Sequence, residues 1–365
     1  MSRLRVVVLF GGRSVEREVS RLSARTIVGA LDPEKYEIVP LAIGPDGRFL
    51  APAPSSKLLA EGSILRKYLA GEETVPSRSK SVVPKEITGG RADVVFPIVH
   101  GTTGEDGALQ GFLETLGIPY VGAGVAASAV GMDKSVFKAL LRDAGIPTPK
   151  ARSLSLRERA GVRGEQADEK LLGFGLPLFV KPANGGSSVG VTKVKRWEDL
   201  LPALDLALRY DERAMVEEGI DARELECAVL GNEDPRASIV GEIVPGHEFY
   251  DYDDKYREEK AQLKIPAPIS DAVSEEVRRL AVEVFRLAGI SGMARVDFFL
   301  ERRTDRVLVS ELNTLPGFTA ISMYPKLWEA SGLALPELLD ELIALAIQRQ
   351  QRRGQLSHEP PAELA

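Results

Sequence analysis

Short apolar runs alternate with amphipathic stretches in the first third of the chain, which predicts a sheet flanked by helices. Helical stretches of mixed polarity lie at 16–31 and 107–117. Residues 45–90 are rich in Pro, Ser, Gly and charge, and indicate an excursion around a short helix near 56–70. Three runs rich in Val and Ile are typical of buried parallel strands: LRVVVLF (4–10), YEIVPLAI (36–43) and ADVVFPIV (92–98). The pattern predicts a small α/β domain.

The rest of the chain changes from this alternation to a series of closely spaced strands. A helix at 133–145 ends at a Gly-Ile-Pro-Thr-Pro segment, which marks the start of a second domain. The apolar run 176–183 then predicts a strand, and a helix follows at 196–210. Further strands are expected at 191–194, 214–220, 222–231 and 236–244. A polar loop is expected at 246–264, and helices are expected at 271–288 and 335–352.

Four polar side chains interrupt the apolar pattern of a predicted hairpin formed by 293–301 and 306–312: Arg295, Asp297, Glu311 and Asn313. Strand side chains alternate between faces, so pairing brings two carboxylates, a carboxamide and a guanidinium to one surface. Such oxygen ligands suit Mg²⁺, and the arginine suits a phosphoryl group or a developing oxyanion. The alternative is a solvated hairpin face with a chance ion pair. It is disfavoured because two polar pairs occur, Arg295 with Asp297 and Glu311 with Asn313.

A second candidate for phosphate chemistry is the glycine–serine loop 184–190, which follows a strand bearing Lys181. Glycines let backbone N–H groups close around phosphate oxygens, and serine hydroxyls add donors. The loop is not a Walker motif, because no Gly-Lys-Ser/Thr follows, and a plain turn is the alternative. A lysine inside an apolar strand favours the phosphate site, whereas Lys134 at a helix start is a weaker signal. The carboxylates at 217–224 fit a site that binds adenine and the ribose hydroxyls. Exposed acidic side chains without a binding role are the alternative.

Composition narrows the class of protein. The chain has 365 residues, which predicts two or three domains, and its net charge of −6 argues against a generic nucleic-acid binder. Its single cysteine, Cys227, excludes an internal disulfide and is expected to be a small core residue. The segment 11–16 lacks the third glycine of a dinucleotide fingerprint, which argues against a nicotinamide dehydrogenase. No apolar run suits a signal peptide or a membrane span, so we expect a cytoplasmic protein that binds no membrane.

Taken together, these motifs resemble the D-alanine–D-alanine ligases of the ATP-grasp superfamily over about residues 1–350. The order and spacing of the motifs agree with that family along this whole length. The matching segments are GGRSVEREVS (11–20), HGTTGEDGALQGFLETLGIPYVG (100–122), SAVGMDKSVFK (128–138), VKPANGGSSVGVTKV (180–194), FYDYDDKY (249–256), ARVDFF (294–299) and ELNTLPGFTAISMYP (311–325).

The resemblance implies an α/β (α+β) chain with the ATP-grasp fold. A Rossmann-like α/β substrate-binding domain would span 1–122, and a central ATP-grasp domain with the phosphate hairpin would span 123–216. A C-terminal ATP-grasp domain with the metal and oxyanion site would span 217–352, followed by a flexible tail at 353–365. The implied reaction joins two D-alanines through a D-alanyl phosphate for peptidoglycan synthesis. It would use ATP and two Mg²⁺ ions, with Mn²⁺ as a substitute, in a homodimer.

The same resemblance carries over functional residues to matching positions of this chain. Implied metal ligands are Asp297, Glu311 and Asn313. Implied ATP-binding residues are Lys134, Lys181, Ser188, Glu217, Glu218, Glu224 and Lys255. Implied substrate-binding residues are Glu16, His100, Lys255, Arg295, Gly317, Ser322 and Met323. Implied catalytic residues are Glu16, His100, Ser187, Tyr256, Arg295 and Gly317.

Individual roles follow from the same resemblance. Glu16 would meet the ammonium of the first D-alanine, and with Ser187 and Tyr256 it would form a hydrogen-bonded trio that closes the 246–264 loop. Arg295 and the backbone N–H of Gly317 would form the oxyanion hole. The proton acceptor for the second amine stays open between His100 and the Ser187–Tyr256 pair.

Three other functions compete with this interpretation. The nearest is a D-alanine–D-lactate ligase, against which Tyr256 in the DDKY segment argues. Another ATP-grasp carboxylate–amine ligase is disfavoured by the HGTTGEDG and FYDYDDKY segments. A nucleotide-binding regulator without turnover is disfavoured by Arg295, because a pure binder needs no oxyanion donor.

Overall fold

A computed structural model describes residues 3–61, 84–88, 92–155, 172–186, 189–245 and 262–357 of the chain. The described residues form three sheets, each covered by helices. No helix within these ranges combines the length and the apolar character that crossing a membrane requires.

The first sheet has three parallel strands in the order β2-β1-β3 and confirms the α/β pattern of the first third. Side chains of β1 are buried on both faces: Val6, Val8 and Phe10 pack into one core, while Val7 and Leu9 pack into another. Both faces are apolar because helices cover each side. The elements are β1 (Leu4–Gly11), α1 (Arg17–Ala30), β2 (Tyr36–Ile43), α2 (Pro52–Ala60), α3 (Lys85–Thr88), β3 (Val94–Pro97) and α4 (Ala108–Thr115).

The second sheet has four antiparallel strands in the order β4-β7-β5-β6. It packs against α7, and its core includes Leu178, Val180, Leu204 and Val216. A 3₁₀ turn, Trp197–Asp199, precedes α7. The elements are α5 (Val125–Met132), α6 (Lys134–Asp143), β4 (Ala151–Ser155), β5 (Leu178–Pro182), β6 (Thr192–Val194), α7 (Leu200–Ala207) and β7 (Arg213–Glu218).

The third sheet has five antiparallel strands in the order β10-β9-β8-β11-β12. The amphipathic helix α8 buries Val277, Leu280, Val284 and Phe285 beneath it, and Cys227 lies fully buried in the same core, as expected. The elements are β8 (Ala222–Gly231), β9 (Arg236–Val244), β10 (Gln262–Lys264), α8 (Asp271–Leu287), β11 (Gly292–Glu301), β12 (Val307–Asn313), α9 (Met323–Ala330) and α10 (Leu335–Arg353).

The structure corrects the sequence analysis at a few places. Strand β4 and helix α9 were not predicted, and the last three residues of the expected 246–264 loop form β10. The boundary at 216 falls inside β7, so we propose the turn after Glu218 as the limit of the central domain. Helix α6 packs on the five-stranded sheet, since Phe137 and Leu141 share a core with Val296. The other domain boundaries stay predictions.

A buried arginine near the end of α10 joins the C-terminal helix to the N-terminal domain. Arg349 donates hydrogen bonds to the carbonyl oxygens of Tyr120 (2.9 Å) and Gly122, and its guanidinium lies 4.2 Å from the centroid of the Tyr120 ring. These carbonyls belong to the loop that follows β3 and α4. The contact ties the C-terminal helix to the N-terminal domain.

We predict that Arg349→Met lowers the free energy of unfolding by about 2–4 kcal/mol, because two buried carbonyl groups lose their donor. Urea denaturation followed by circular dichroism measures this change. Arg352→Met on the same helix is the control, since Arg352 contacts Glu233 at the surface and should change stability by less than about 1 kcal/mol. Equal effects of both substitutions would contradict the prediction.

Candidate active site

The register of the β11–β12 hairpin brings the four polar side chains together, as their alternation predicts. Arg295 lies opposite Asn313, and Asp297 lies opposite Glu311. The guanidinium of Arg295 donates two parallel hydrogen bonds to Asp297, from Nε at 2.7 Å and from Nη2 at 2.8 Å. Such a bidentate contact fixes both the position and the plane of the arginine.

A buried glutamate on the neighbouring strand extends this polar row. Glu226 of β8 lies opposite Asp297, and its Oε2 is 3.0 Å from Nε of Arg295. Sequence reasoning missed Glu226, although a carboxylate within the apolar run LECAV is the signal that could have revealed it. The row therefore crosses three strands and combines three carboxylates with one guanidinium.

The hairpin offers an incomplete set of metal ligands. In the part of the chain that the structure describes, no three His, Cys, Asp or Glu side chains are arranged to hold a metal ion by themselves. Asp297 and Glu311 are adjacent across the strands, and Asn313 accepts a hydrogen bond from the Leu315 N–H at 3.0 Å. Two carboxylates and an amide fit Mg²⁺, which keeps several waters and takes phosphate oxygens as further ligands.

Two lysines approach the same hairpin from the central domain. Nζ of Lys134 lies 3.7 Å and Nζ of Lys181 lies 3.9 Å from Oε1 of Glu311. Lys134 also donates to the carbonyl of Gly185 at 2.6 Å, so the start of α6 holds the glycine loop. The helix start is itself fixed, because Asp133 accepts hydrogen bonds from the N–H groups of Ser135 and Val136. Both lysines that the sequence singled out therefore lie beside the hairpin.

A buried carboxylate connects Lys181 to a third lysine that the sequence analysis did not select. Glu217 receives Nζ of Lys181 at 2.7 Å on one oxygen and Nζ of Lys138 at 2.8 Å on the other. Burial raises the pKa of Glu217, but the two ammonium groups outweigh it and hold the pKa below its usual range. The signal for Lys138 is a lysine on the buried face of α6, one turn after Lys134.

Two cavities of about 170 Å³ and about 610 Å³ meet at these residues. The larger cavity lies between the four- and five-stranded sheets and has apolar side chains, including Phe179, Val191 and Phe299, beside Glu218 and Glu224. Glu217 instead turns its carboxylate toward the two lysines. The wall that both cavities share includes Lys134, Gly185, Gly186, Glu226, Arg295, Asp297 and Glu311.

The smaller cavity extends from the hairpin to the N-terminal domain, where Glu16 and His100 line it. Ser14 joins their loops, because its hydroxyl donates to the His100 carbonyl at 2.7 Å and accepts from the Glu16 N–H at 3.0 Å. A Cβ atom at Gly186 would lie 3.0 Å from Oε2 of Glu16, so the phosphate loop approaches this carboxylate closely. Glycine at 186 permits that approach.

Both ring nitrogens of His100 face polar partners. Nδ1 lies 3.8 Å from Oε1 of Glu105, and Nε2 lies 3.4 Å from the Ser23 hydroxyl. Burial acts to lower the pKa of His100, but the contact with Glu105 and the charges of Glu105 and Glu16 outweigh it and raise the pKa above its ordinary value. The imidazolium form therefore persists to higher pH than in a free histidine.

The loop after β12 and the first residue of α9 complete the smaller cavity with Gly317, Ser322 and Met323. The Ser322 hydroxyl accepts from the Thr319 N–H at 2.9 Å, and the Phe318 N–H donates to the Ser23 hydroxyl at 3.1 Å. These bonds anchor the loop to itself and to α1. Met323 is buried, and a Cβ atom at Gly241 would lie 2.4 Å from its terminal methyl carbon, so this glycine makes room for the methionine.

Four predicted site residues lie outside the described residues: Ser187, Ser188, Lys255 and Tyr256. The hydrogen-bonded trio and the closing of the 246–264 loop therefore stay predictions. The other predicted site residues that line one or both cavities are Glu16, His100, Lys134, Lys181, Glu218, Glu224, Arg295, Asp297, Glu311, Asn313, Gly317, Ser322 and Met323.

Two antiparallel sheets thus enclose a large cavity whose inner end carries lysines and an acidic hairpin. This architecture defines the ATP-grasp class of nucleotide-dependent ligases. Comparison with known proteins agrees: residues 5–123 match the family described as D-ala D-ala ligase N-terminus, and residues 140–344 match D-ala D-ala ligase C-terminus. The chain is 49% identical over 363 residues to D-alanine–D-alanine ligase A of Chromobacterium violaceum, covering 96% of each protein. The chain belongs to the D-alanine–D-alanine ligase family.

Solved structures show the same fold. The D-alanine–D-alanine ligase from Coxiella burnetii superimposes with a TM-score of 0.82 at 42% identity, covering 97% of each chain. The VanG D-Ala:D-Ser ligase from Enterococcus faecalis gives a TM-score of 0.81 at 32% identity, covering 94% of this chain and all of that one. The overall fold is therefore shared by proteins whose names specify different second substrates.

We predict that the pKa of the His100 ring lies above that of an ordinary histidine, and that Glu105→Gln lowers it, because the contact with Glu105 and its charge raise this pKa against the effect of burial. Because the pKa of His100 is raised in the folded state, protonation of His100 adds to the free energy of unfolding. This contribution is fully present below the unfolded-state pKa and is lost as pH rises through the folded-state pKa. Histidine NMR titration measures the pKa, with His100→Gln assigning the signal. Asp106→Asn in the same loop is the control and should move the pKa less.

Proposed function

We propose that this chain uses ATP to join two D-alanines into D-alanyl-D-alanine, for peptidoglycan synthesis. The observation that carries the proposal is the wall shared by the two cavities, in which Lys134, Arg295 and Glu311 face both. A nucleotide in the larger cavity and an amino acid in the smaller one would meet at that wall. Their meeting point is where a phosphoryl group must pass from one to the other.

In the first step, a carboxylate oxygen of the first D-alanine attacks the γ-phosphorus of ATP. The bond between the γ-phosphorus and the β,γ-bridging oxygen breaks, and D-alanyl phosphate and ADP form. The protein's task here is mainly positioning and charge neutralisation. Lys134 and Lys181 would hold the phosphates, Glu218 and Glu224 the adenosine, and Glu16 the ammonium of the amino acid.

In the second step, the amine of the second D-alanine attacks the acyl carbon and phosphate leaves. The negative charge on the tetrahedral oxygen would be met by Arg295 and by the N–H of Gly317. Both lie at the smaller cavity, and the bidentate contact with Asp297 keeps the guanidinium in place before charge develops. Ser322 would bind the second carboxylate, and Met323 would contact its neighbouring methyl group.

We assign Mg²⁺ to the hairpin, with Asp297, Glu311 and Asn313 as ligands and Mn²⁺ as a substitute. The support is the donor set itself, which contains only oxygen ligands and leaves positions for phosphate oxygens. When bound, such ions neutralise charge on the transferring phosphoryl group. Lys134 and Lys181 lie within 4 Å of Glu311 and balance the charge of this carboxylate.

The proton of the attacking amine needs an acceptor, for which His100 and the Ser187–Tyr256 pair are the two candidates. His100 lines the smaller cavity; burial acts to lower the pKa of its ring, but the contact with Glu105 and the charges of Glu105 and Glu16 raise it. We further propose a homodimer in the cytoplasm as the working form.

The activity is tested by measuring ADP release from ATP and Mg²⁺ with D-alanine, L-alanine or no amino acid, with products identified by mass spectrometry. We expect ADP release only with D-alanine, together with the mass of the dipeptide. D-lactate and D-serine, each mixed with D-alanine, test the second position. ADP release that does not depend on D-alanine, or a predominant mixed product, would contradict the proposal.

We predict that Glu311→Gln lowers kcat by at least about tenfold and shifts the Mg²⁺ dependence to higher concentrations, because a ligand charge is lost. Glu329→Gln on the exposed face of α9 is the matched control and should leave both unchanged. Unfolding temperatures of both variants report whether the fold is intact. An unaltered Mg²⁺ dependence in Glu311→Gln would remove the metal assignment.

A further inference from the structure

Lys138 is a buried lysine that neither cavity exposes. Its side chain is 3% exposed, and that of Glu217 is 2% exposed, so the contact between them is shielded from water. Lys138 extends from the middle of α6 to the carboxylate that also receives Lys181. A lysine at this depth is rare unless its charge is paired.

The three contacts of the Lys138 ammonium group come from three separate segments. Nζ lies 2.8 Å from Glu217 on β7, donates to the Thr148 hydroxyl at 2.8 Å and reaches the Val309 carbonyl of β12 at 3.4 Å. The Thr148 hydroxyl donates to the same carbonyl at 2.8 Å. Lys138 therefore joins α6, the segment between α6 and β4, the central sheet and the strand that carries Glu311.

The charges of Lys138, Lys181 and Glu217 favour an arrangement in which Lys181 is available to bind a phosphate group. Glu217 and Lys181 alone would form a neutral pair, in which the carboxylate competes with a nucleotide phosphate for the lysine. The ammonium group of Lys138 shares the Glu217 carboxylate with Lys181, because each lysine contacts a different oxygen. Burial acts to lower the pKa of Lys138 and outweighs the opposing charge of Glu217. With both lysines protonated, Lys138, Lys181 and Glu217 together carry one net positive charge, and the member that lines the larger cavity is Lys181.

We propose that Lys138 is a positioning residue that holds Glu217 beneath Lys181, so that Lys181 presents its ammonium to the nucleotide phosphates. The proposal rests on the proposed function in that it takes a nucleotide as the occupant of the larger cavity. Without Lys138, Glu217 would retain Lys181 more strongly and would also lose the bond that fixes its own side chain. The expected consequence is weaker nucleotide binding with little effect on D-alanine.

The test compares Lys138→Met and Lys138→Arg with Arg142→Met, which removes an exposed cation one turn later on α6. Isothermal titration with ADP and MgCl₂ measures nucleotide affinity directly, and kinetics give KM for ATP and for D-alanine separately. We expect Lys138→Met to weaken ADP and raise KM for ATP by about tenfold or more. KM for D-alanine should change little. Lys138→Arg should restore most of the affinity, and Arg142→Met should resemble the parent chain.

A double-mutant cycle with Glu217→Gln shows whether Lys138 acts through Glu217. If it does, the effects of the two substitutions on ADP affinity are not additive. Additive effects, or equal rises of both KM values in Lys138→Met, would overturn the proposal. If Lys138→Met does not fold, the same cycle is measured with Lys138→Gln, which keeps a hydrogen-bond donor.

The binding measurement separates this proposal from the proposed function. If the parent chain binds ADP but releases no ADP with D-alanine, the assigned substrate is wrong while the role of Lys138 is still tested. If the parent chain is an active ligase and Lys138→Met binds ADP as tightly as the parent, only the role of Lys138 is wrong.

Discussion

The register between β11 and β12 is the constraint on which the rest of the site depends. It places Asp297 opposite Glu311, with Arg295 and Asn313 on the same face. Because side chains alternate, a slip of one residue in β11 would turn Arg295 and Asp297 into the core and bring Val296 to the cavity. A bulge after Asp297 lets the polar end of the hairpin face the cavities while the following pair, Phe298 and Val309, packs in the core.

Around this hairpin, the protein keeps many charges close together by pairing them. Arg295 lies between Asp297 and Glu226, and Glu217 lies between two lysines. Burying such groups singly would cost several kcal/mol or more, so each of these pairs depends on its partner. The same arrangement lets a chain with a net charge of −6 place Lys134, Lys181 and Arg295 beside carboxylates at the cavity proposed for a polyanionic nucleotide. These cations come from α6, β5 and β11 and are brought together by the tertiary structure.

The position of the site between domains has a chemical purpose. Water hydrolyses an acyl phosphate, so a site that forms one must keep water out. The smaller cavity is lined by the N-terminal domain on one side and by the hairpin on the other, and these walls shield it from water. Contacts that cross this boundary, such as the Phe318 N–H to the Ser23 hydroxyl, hold its walls in place. The fold does not select the second substrate, since a D-Ala:D-Ser ligase has nearly the same TM-score as a D-alanine–D-alanine ligase.

The sequence by itself determined most of the strands and helices, the family and the polar face of the hairpin, because these follow from local periodicity and from motifs of contiguous residues. It did not reveal β4 or α9, whose short stretches depend on packing for their structure. It also missed Lys138 and Glu226, and it did not reveal that Glu217 pairs with two lysines. Only the tertiary structure decided these pairings, because an ion pair between residues 79 positions apart, as Lys138 and Glu217 are, arises from how α6 and β7 pack and not from either segment alone.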